Sequence, residues 1–118
     1  MTPQHGEQVV TCHRVSAFAD TQLDVLLRSN CIRTAVIAGT TTNGAVEATV
    51  REAADRDYYA VIPRDCVASL DDEADLHDAS LTNIGRHFGT VVSSHEIAAI
   101  WRAIAPLRTE HPAANTVS

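Results

Sequence analysis

The sequence predicts an α/β fold, a mostly parallel sheet held between helices in a Rossmann-like three-layer arrangement. Two observations carry this. Short β-branched apolar segments alternate with longer segments of helical period along the chain. One stretch also sets a strand, a Gly/Thr/Asn turn and a helix in immediate succession. Thr34-Ala-Val-Ile-Ala38 is apolar and short enough for a buried parallel strand, and Val46, Val50, Ala53 and Ala54 then recur at helical spacing as far as Asp57. Such a layout places backbone N–H groups and a helix N-terminus at the carboxyl edge of the sheet, where ligands bind in open α/β folds.

Residues 1–8 are polar, with Pro3 and Gly6, and read as a loose lead-in. The domain is expected over 9–107. Its first strand candidate is Val9-Val-Thr-Cys-His13, followed by a helix from near Thr21 with Leu23, Leu26 and Leu27 as its buried stripe. Ser29-Asn30 ends that helix before the Thr34 strand. The central helix opens near Asn43-Gly44 and closes at Arg56-Asp57. Tyr58-Tyr-Ala-Val-Ile62 is the next strand, with Pro63 tolerable only at its end because proline donates nothing to the sheet. Asp71 to Phe88 reads as a helix capped by Asp71, with Ala74, His77, Leu81, Ile84 and Phe88 on one face and Gly89 as its stop. Thr90-Val-Val-Ser93 is the last strand. Ser93-x-x-Glu96 is a capping box for a final helix that turns Ile97, Ile100, Trp101 and Ile104 inward and ends at Pro106. Residues 108–118 form a polar tail.

Composition narrows the function. At 118 residues the chain is one domain, and its 45% apolar and 20% charged content is ordinary for a globular protein. A net charge of −6 without a basic cluster argues against a nucleic-acid partner or an anionic membrane surface. All nine basic residues are arginines, a bias that fits a GC-rich bacterial genome. Three widely spaced cysteines make no disulfide framework, and the polar N-terminus resembles neither a signal peptide nor a span, so a cytoplasmic location is expected.

The segment Gly39 to Arg51, GTTTNGAVEATVR, resembles the nucleophile loop of the isochorismatase-like cysteine hydrolases. Gly39, Thr42, Asn43, Val46, Thr49, Arg51, Glu52 and Ala53 fall on that family's pattern. Cys12-His-Arg-Val-Ser-Ala-Phe18 resembles its K-x-R-x-S-A-F segment, Asp20-Thr-x-Leu23 the G-T-x-L after it, and Asp65-Cys-Val-Ala-Ser69 a later strand end. The likeness runs from about Gly6 to about Ile97. It implies an isochorismatase-like fold shortened by its N-terminal strands. It also implies that an Asp-Lys-Cys triad would carry any hydrolysis, the aspartate deprotonating the cysteine and the thiolate attacking a carbonyl. Here Ala45 stands at the cysteine position and Cys12 at the lysine position, the chain has no lysine, and no counterpart to the aspartate-bearing segment is found.

The expectation is therefore a truncated member without cysteine-hydrolase activity, a small-molecule-binding or accessory subunit that keeps the family's oxyanion-hole backbone. The alternatives are an enzyme of different chemistry in the inherited pocket, such as a cyclase, isomerase or dehydratase of a biosynthetic pathway, and a hydrolase completed by a partner chain. No catalytic residue is assigned. The ligand-binding candidates are Cys12, His13, Arg14, Phe18, Thr41, Thr42, Asn43, Gly44 and Ala45. Cys12 reads either as a relocated thiol or as a small buried residue, and Arg14 as a structural ion-pair partner. Cys31 and Cys66 read as core or helix-end residues. Asp65 is expected to order neighbouring loops, and Asp24, Glu47 and Asp55 to lie on exposed helix faces. No two of the six histidines are placed as a helical metal pair, so neither metal nor other cofactor is implied. The resemblance implies a sheet order of 3-2-1-4-5-6 without its two central strands. The Val9 strand then either pairs directly beside the Val36 strand or leaves an edge for another chain, and an obligate homodimer is expected.

Overall fold

The computed structural model describes residues 2–105. Five short strands, β1 (Thr34–Val36), β2 (Gly39–Thr40), β3 (Tyr59–Pro63), β4 (Val67–Ala68) and β5 (Thr90–Val92), alternate with four helices, α1 (Leu23–Ser29), α2 (Glu47–Asp55), α3 (Ala74–Asn83) and α4 (Ser94–Ile104). All strand pairs are parallel. β1, β3 and β5 form one sheet in that order, with Ala35 opposite Ala60 and Ile62 opposite Val91, and β2 lies beside β4. The α/β alternation expected from the sequence is what the chain adopts. Gly39 opens β2 at φ +126°, a conformation open to glycine and strained for other residues.

β3 is the middle strand and holds the core together. Its Ile62 is fully buried, as are Val50 and Ala53 on α2 and Ile84 after α3. Withdrawing a side chain such as Ile62 from water contributes about 1.5–3 kcal/mol. Leu23 and Leu27 of α1 are buried on the same core, and Leu26 is half-buried. Phe18 stacks on Tyr58 with ring centroids 5.8 Å apart. The Tyr58 hydroxyl donates to Asp24 Oδ1 at 2.6 Å, beside Arg28 at 3.1 Å and Arg56 at 3.5 Å. Asp24 is thus the centre of a network rather than an open helix face. The Tyr58 hydroxyl is the chief cause that holds the Asp24 carboxyl below its ordinary range, and burial is the chief cause that pushes Tyr58 up.

Several expectations are corrected. Residues 9–13 form no strand: Val9, Cys12 and His13 are exposed, and only Val10 leans on the core. A run of five residues needs a neighbour to pair with, and no strand among the described residues lies on that side of β1. On α4 the capping box forms as expected, and Ile97 is buried with Ile104 half-buried. Ile100 and Trp101 stay 61% and 45% exposed, because nothing described lies over that face. On α3, Ala74 is exposed, and Asp71 opens a 3-10 turn, Asp71–Glu73, without capping the helix. Of the two readings for Cys66 and Cys31, the helix-end one holds: both are exposed, Cys66 closing the 3-10 turn Arg64–Cys66 and Cys31 just past the end of α1. Pro106 and the tail at 108–118 lie outside the described residues. No described helix is long and apolar enough to cross a membrane.

Candidate functional site

The parallel strands bring their carboxyl ends to one edge, and the turn after β2 lies there. The chain leaves β2 through a cis Thr40–Thr41 peptide and winds into a π-helical turn, Thr42–Val46, that runs straight into α2. Gly44 N–H and Val46 N–H both donate to the Thr41 carbonyl, at 3.0 and 3.1 Å. Among the described residues the Ala45 N–H has no backbone acceptor outside its own turn. Ala45 itself is half-buried. Around Gly44 there is room: a Cβ there meets only Thr41 Cβ, at 3.7 Å.

The Thr41 side chain borders this space, while those of Thr42 and Asn43 are engaged elsewhere. Thr42 is fully buried, its hydroxyl 2.8 Å from His77 Nδ1. Asn43 donates through Nδ2 to Glu73 Oε2 at 3.2 Å and accepts at Oδ1 from the Ser69 hydroxyl at 2.7 Å. Glu47, expected on an exposed face, accepts from the Ser80 hydroxyl at 3.0 Å and pairs with Arg51 at 3.1 Å. The Arg51 guanidinium in turn lies 4.4 Å from the Phe88 ring centroid. The side chains of Thr42, Asn43 and Glu47 are thus all taken up by partners within the fold.

The remaining candidates separate. Cys12, His13 and Arg14 are exposed on irregular chain, and Arg14 donates to the His13 carbonyl at 3.3 Å instead of entering an ion pair among the described residues. Phe18 is a core residue at 3% exposure. Its segment is tied to α2 by the Ala17 N–H, which donates to Thr49 Oγ1 at 3.0 Å. The chain also forms an open groove at the opposite, amino-terminal ends of β1 and β3, between Arg28, Arg33 and Tyr59, remote from the turn. Sequence reasoning missed Ser69, Glu73 and Ser80 as partners of the turn and gave His77 to an apolar face. Their one signal is the helical spacing 73, 77, 80, which a solvated face displays equally. No group of three or more His, Cys, Asp or Glu among the described residues is placed to hold a metal.

Asp65 orders its surroundings as expected. It accepts from the Ser94 N–H at 2.8 Å and from the Ser94 hydroxyl, joining the end of β3 to the first turn of α4. These two bonds, the hydroxyl first, hold its carboxyl below the ordinary range. A lowered folded value means the stabilisation is present above the unfolded value of about 3.9 and is lost as pH falls through the folded one. Asp65→Asn is therefore expected to flatten the pH dependence of the urea midpoint below about pH 4. Parallel profiles for the two proteins would contradict this.

An isochorismatase domain model matches residues 1–96 of the chain. The chain is 36% identical over 101 residues to the secreted isochorismatase effector Isc1 of Verticillium dahliae, across 82% of this chain and 53% of that protein. It is 37% identical over 91 residues to the ureidoacrylate amidohydrolase RutB of Methylobacterium radiotolerans, across 77% and 35%. The crystal structure of a cysteine hydrolase from Pseudomonas syringae pv. phaseolicola superposes with a TM-score of 0.81 at 29% identity, over 86% of this chain and 52% of that one. The chain thus spans about half the length, or less, of these relatives.

Proposed function

The chain belongs to the isochorismatase family, and from that premise we propose that it is a member without cysteine-hydrolase activity that binds a small carbonyl or carboxylate compound at the Thr41–Ala45 turn. The observation that carries the reading is Ala45. It occupies the position of the nucleophilic cysteine in the loop pattern, at the carboxyl edge of the sheet, and a methyl group has no electron pair with which to attack a carbonyl. With arginine as every basic residue, the chain also has no lysine to support a charged intermediate. The turn still opens a helical run whose N-terminal N–H groups favour an anion or a polarised oxygen.

Ala45→Cys tests this. With ureidoacrylate and nicotinamide as amide probes, hydrolysis by the variant is expected to stay at the background of the unaltered chain. Turnover restored by that one substitution would mean the rest of the machinery is present, and the binding reading would fall.

We further infer that the chain works as a homodimer joined through β1. Tyr59 N–H donates to the Arg33 carbonyl at 2.8 Å and Ile37 N–H to the Val61 carbonyl at 2.9 Å, so the polar groups of Thr34 and Val36 point to the other side. No described strand lies there. An antiparallel pairing about a two-fold axis at Ala35 sets Thr34 opposite Val36 of the second copy and closes both edges. Native mass spectrometry is expected to give a dimer for the unaltered chain and a folded monomer for Thr34→Pro, which removes an outward donor at the strand's first residue. A monomeric unaltered chain would rule the pairing out.

A further inference from the structure

Glu73, His77 and Ser80 fall at i, i+4 and i+7 and share one face of the run that leads into α3. Each holds a different point around the turn. Glu73 Oε2 accepts from Asn43 Nδ2 at 3.2 Å, His77 Nδ1 lies 2.8 Å from Thr42 Oγ1, and the Ser80 hydroxyl donates to Glu47 at 3.0 Å. From the end of β4, Ser69 donates to Asn43 Oδ1 at 2.7 Å. A carboxylate only accepts, so the Asn43 amide has one orientation, with Nδ2 toward Glu73. The Thr42 hydroxyl is fully buried and requires an acceptor. His77 Nδ1 is the partner within reach, and the tautomer that accepts there is the one with its ring proton on Nε2.

The turn is already closed by its own backbone, through the Gly44 and Val46 N–H bonds to Thr41. Three side-chain ties to Thr42 and Asn43, and a fourth to Glu47 where α2 begins, hold its shape beyond what closing a loop requires. Rigid support of this kind is what a donor group needs if it is to be aimed before a ligand arrives. We infer that Glu73 and His77 are positioning residues that set the direction of the Ala45 N–H and the environment of position 45 without touching the ligand. The inference deepens the binding reading above and rests on it, and the following test needs no ligand, so the two fail separately.

The reporter is Ala45→Cys in a chain whose exposed Cys12, Cys31 and Cys66 are replaced by serine. The rate of alkylation by iodoacetamide is followed against pH. A thiol held at the start of a helical run is expected to titrate below the ordinary value of about 8.5. His77→Ala in this background is expected to raise the apparent value by roughly one unit. His77→Gln, which can still accept from Thr42, is expected to restore most of the shift. Glu73→Gln and Glu73→Ala lose the same charge, but only the second loses the acceptor for Asn43, so the difference between them reads geometry alone and is expected to have the same sign. Asp65→Asn, which loosens α4 and not the turn, is expected to leave the profile where it was. If the His77→Ala profile superimposes on the reporter's while its melting temperature falls, His77 only stabilises the fold and the inference is overturned. Should His77→Ala fail to fold, the Glu73 pair decides, and coincident profiles there overturn it equally.

Discussion

Ile62→Ala is expected to destabilise the domain by about 3–5 kcal/mol, the upper part of the range for deleting a buried aliphatic side chain. Ile62 is fully buried on β3, the strand bonded on both sides, opposite Val91 of β5. The truncation forfeits the transfer free energy of its lost methyl and methylene groups and leaves a cavity. The main chain around that cavity is fixed by two ladders, so collapse onto the space is restricted. Small domains are stable by about 5–15 kcal/mol, so the loss is a large share of the total. The comparison that isolates the effect is Tyr59→Ala on the same strand, where the side chain is 71% exposed. That change is expected to cost under about 1 kcal/mol, as surface substitutions do. Urea midpoints for both variants decide the matter. Equal losses would mean that β3 is not the centre of the core.

The same contrast explains what could be read in advance. The Thr34 strand, the Gly39–Ala45 turn and the α2 helix were legible because each depends on a local pattern: β-branched residues in succession, turn chemistry, apolar residues at helical spacing. The capping box at Ser93 and Glu96 is equally local, and it forms. What misled was whatever depends on a neighbour. Val9 to His13 has the composition of a strand, and an unpaired strand has nowhere to put its hydrogen bonds. Ile100 and Trp101 have the spacing of a buried stripe, but burial requires something above them. The face formed by Glu73, His77 and Ser80 is the opposite case. Polar residues at helical spacing ordinarily face water, and only the fold shows Thr42, Asn43 and Glu47 standing opposite them. Phe18 belongs to a motif that resembles the family's segment around its site. Its ring instead lies on Tyr58, in the core. The turn that the family pattern picks out does lie between β2 and α2. The fold adds that the side chains of Thr42 and Asn43 are already engaged.

Gly89→Ala is expected to cost about 3 kcal/mol or more, the upper end for overpacking a close-fitted interior. The reason is not backbone freedom. Gly89 has φ −169° and ψ −167°, an extended conformation that does not call for glycine. What the position cannot take is a side chain. A Cβ there would stand 2.7 Å from the Ala60 carbonyl oxygen, 3.1 Å from Ile62 Cδ1 and 3.3 Å from Ala60 Cβ. The isoleucine tip can rotate aside. The carbonyl belongs to the middle strand of the sheet and is fixed by the ladders on both sides, so the chain at Gly89 has to move instead. Gly89 immediately precedes β5, which pairs with β3 from Val61 opposite Thr90, and displacing it strains that pairing at its first rung. Gly85→Ala is the control. Its Cβ meets only Val91 Cγ2, at 3.6 Å, and it lies in the helical turn Ile84–Phe88, where alanine is favoured over glycine by about 0.5–1 kcal/mol. One methyl group added four residues apart is thus expected to act in opposite directions, with a lower urea midpoint for Gly89→Ala and an unchanged or higher one for Gly85→Ala. Equal midpoints would mean that β5 does not approach β3 as closely as the Gly89 contact requires.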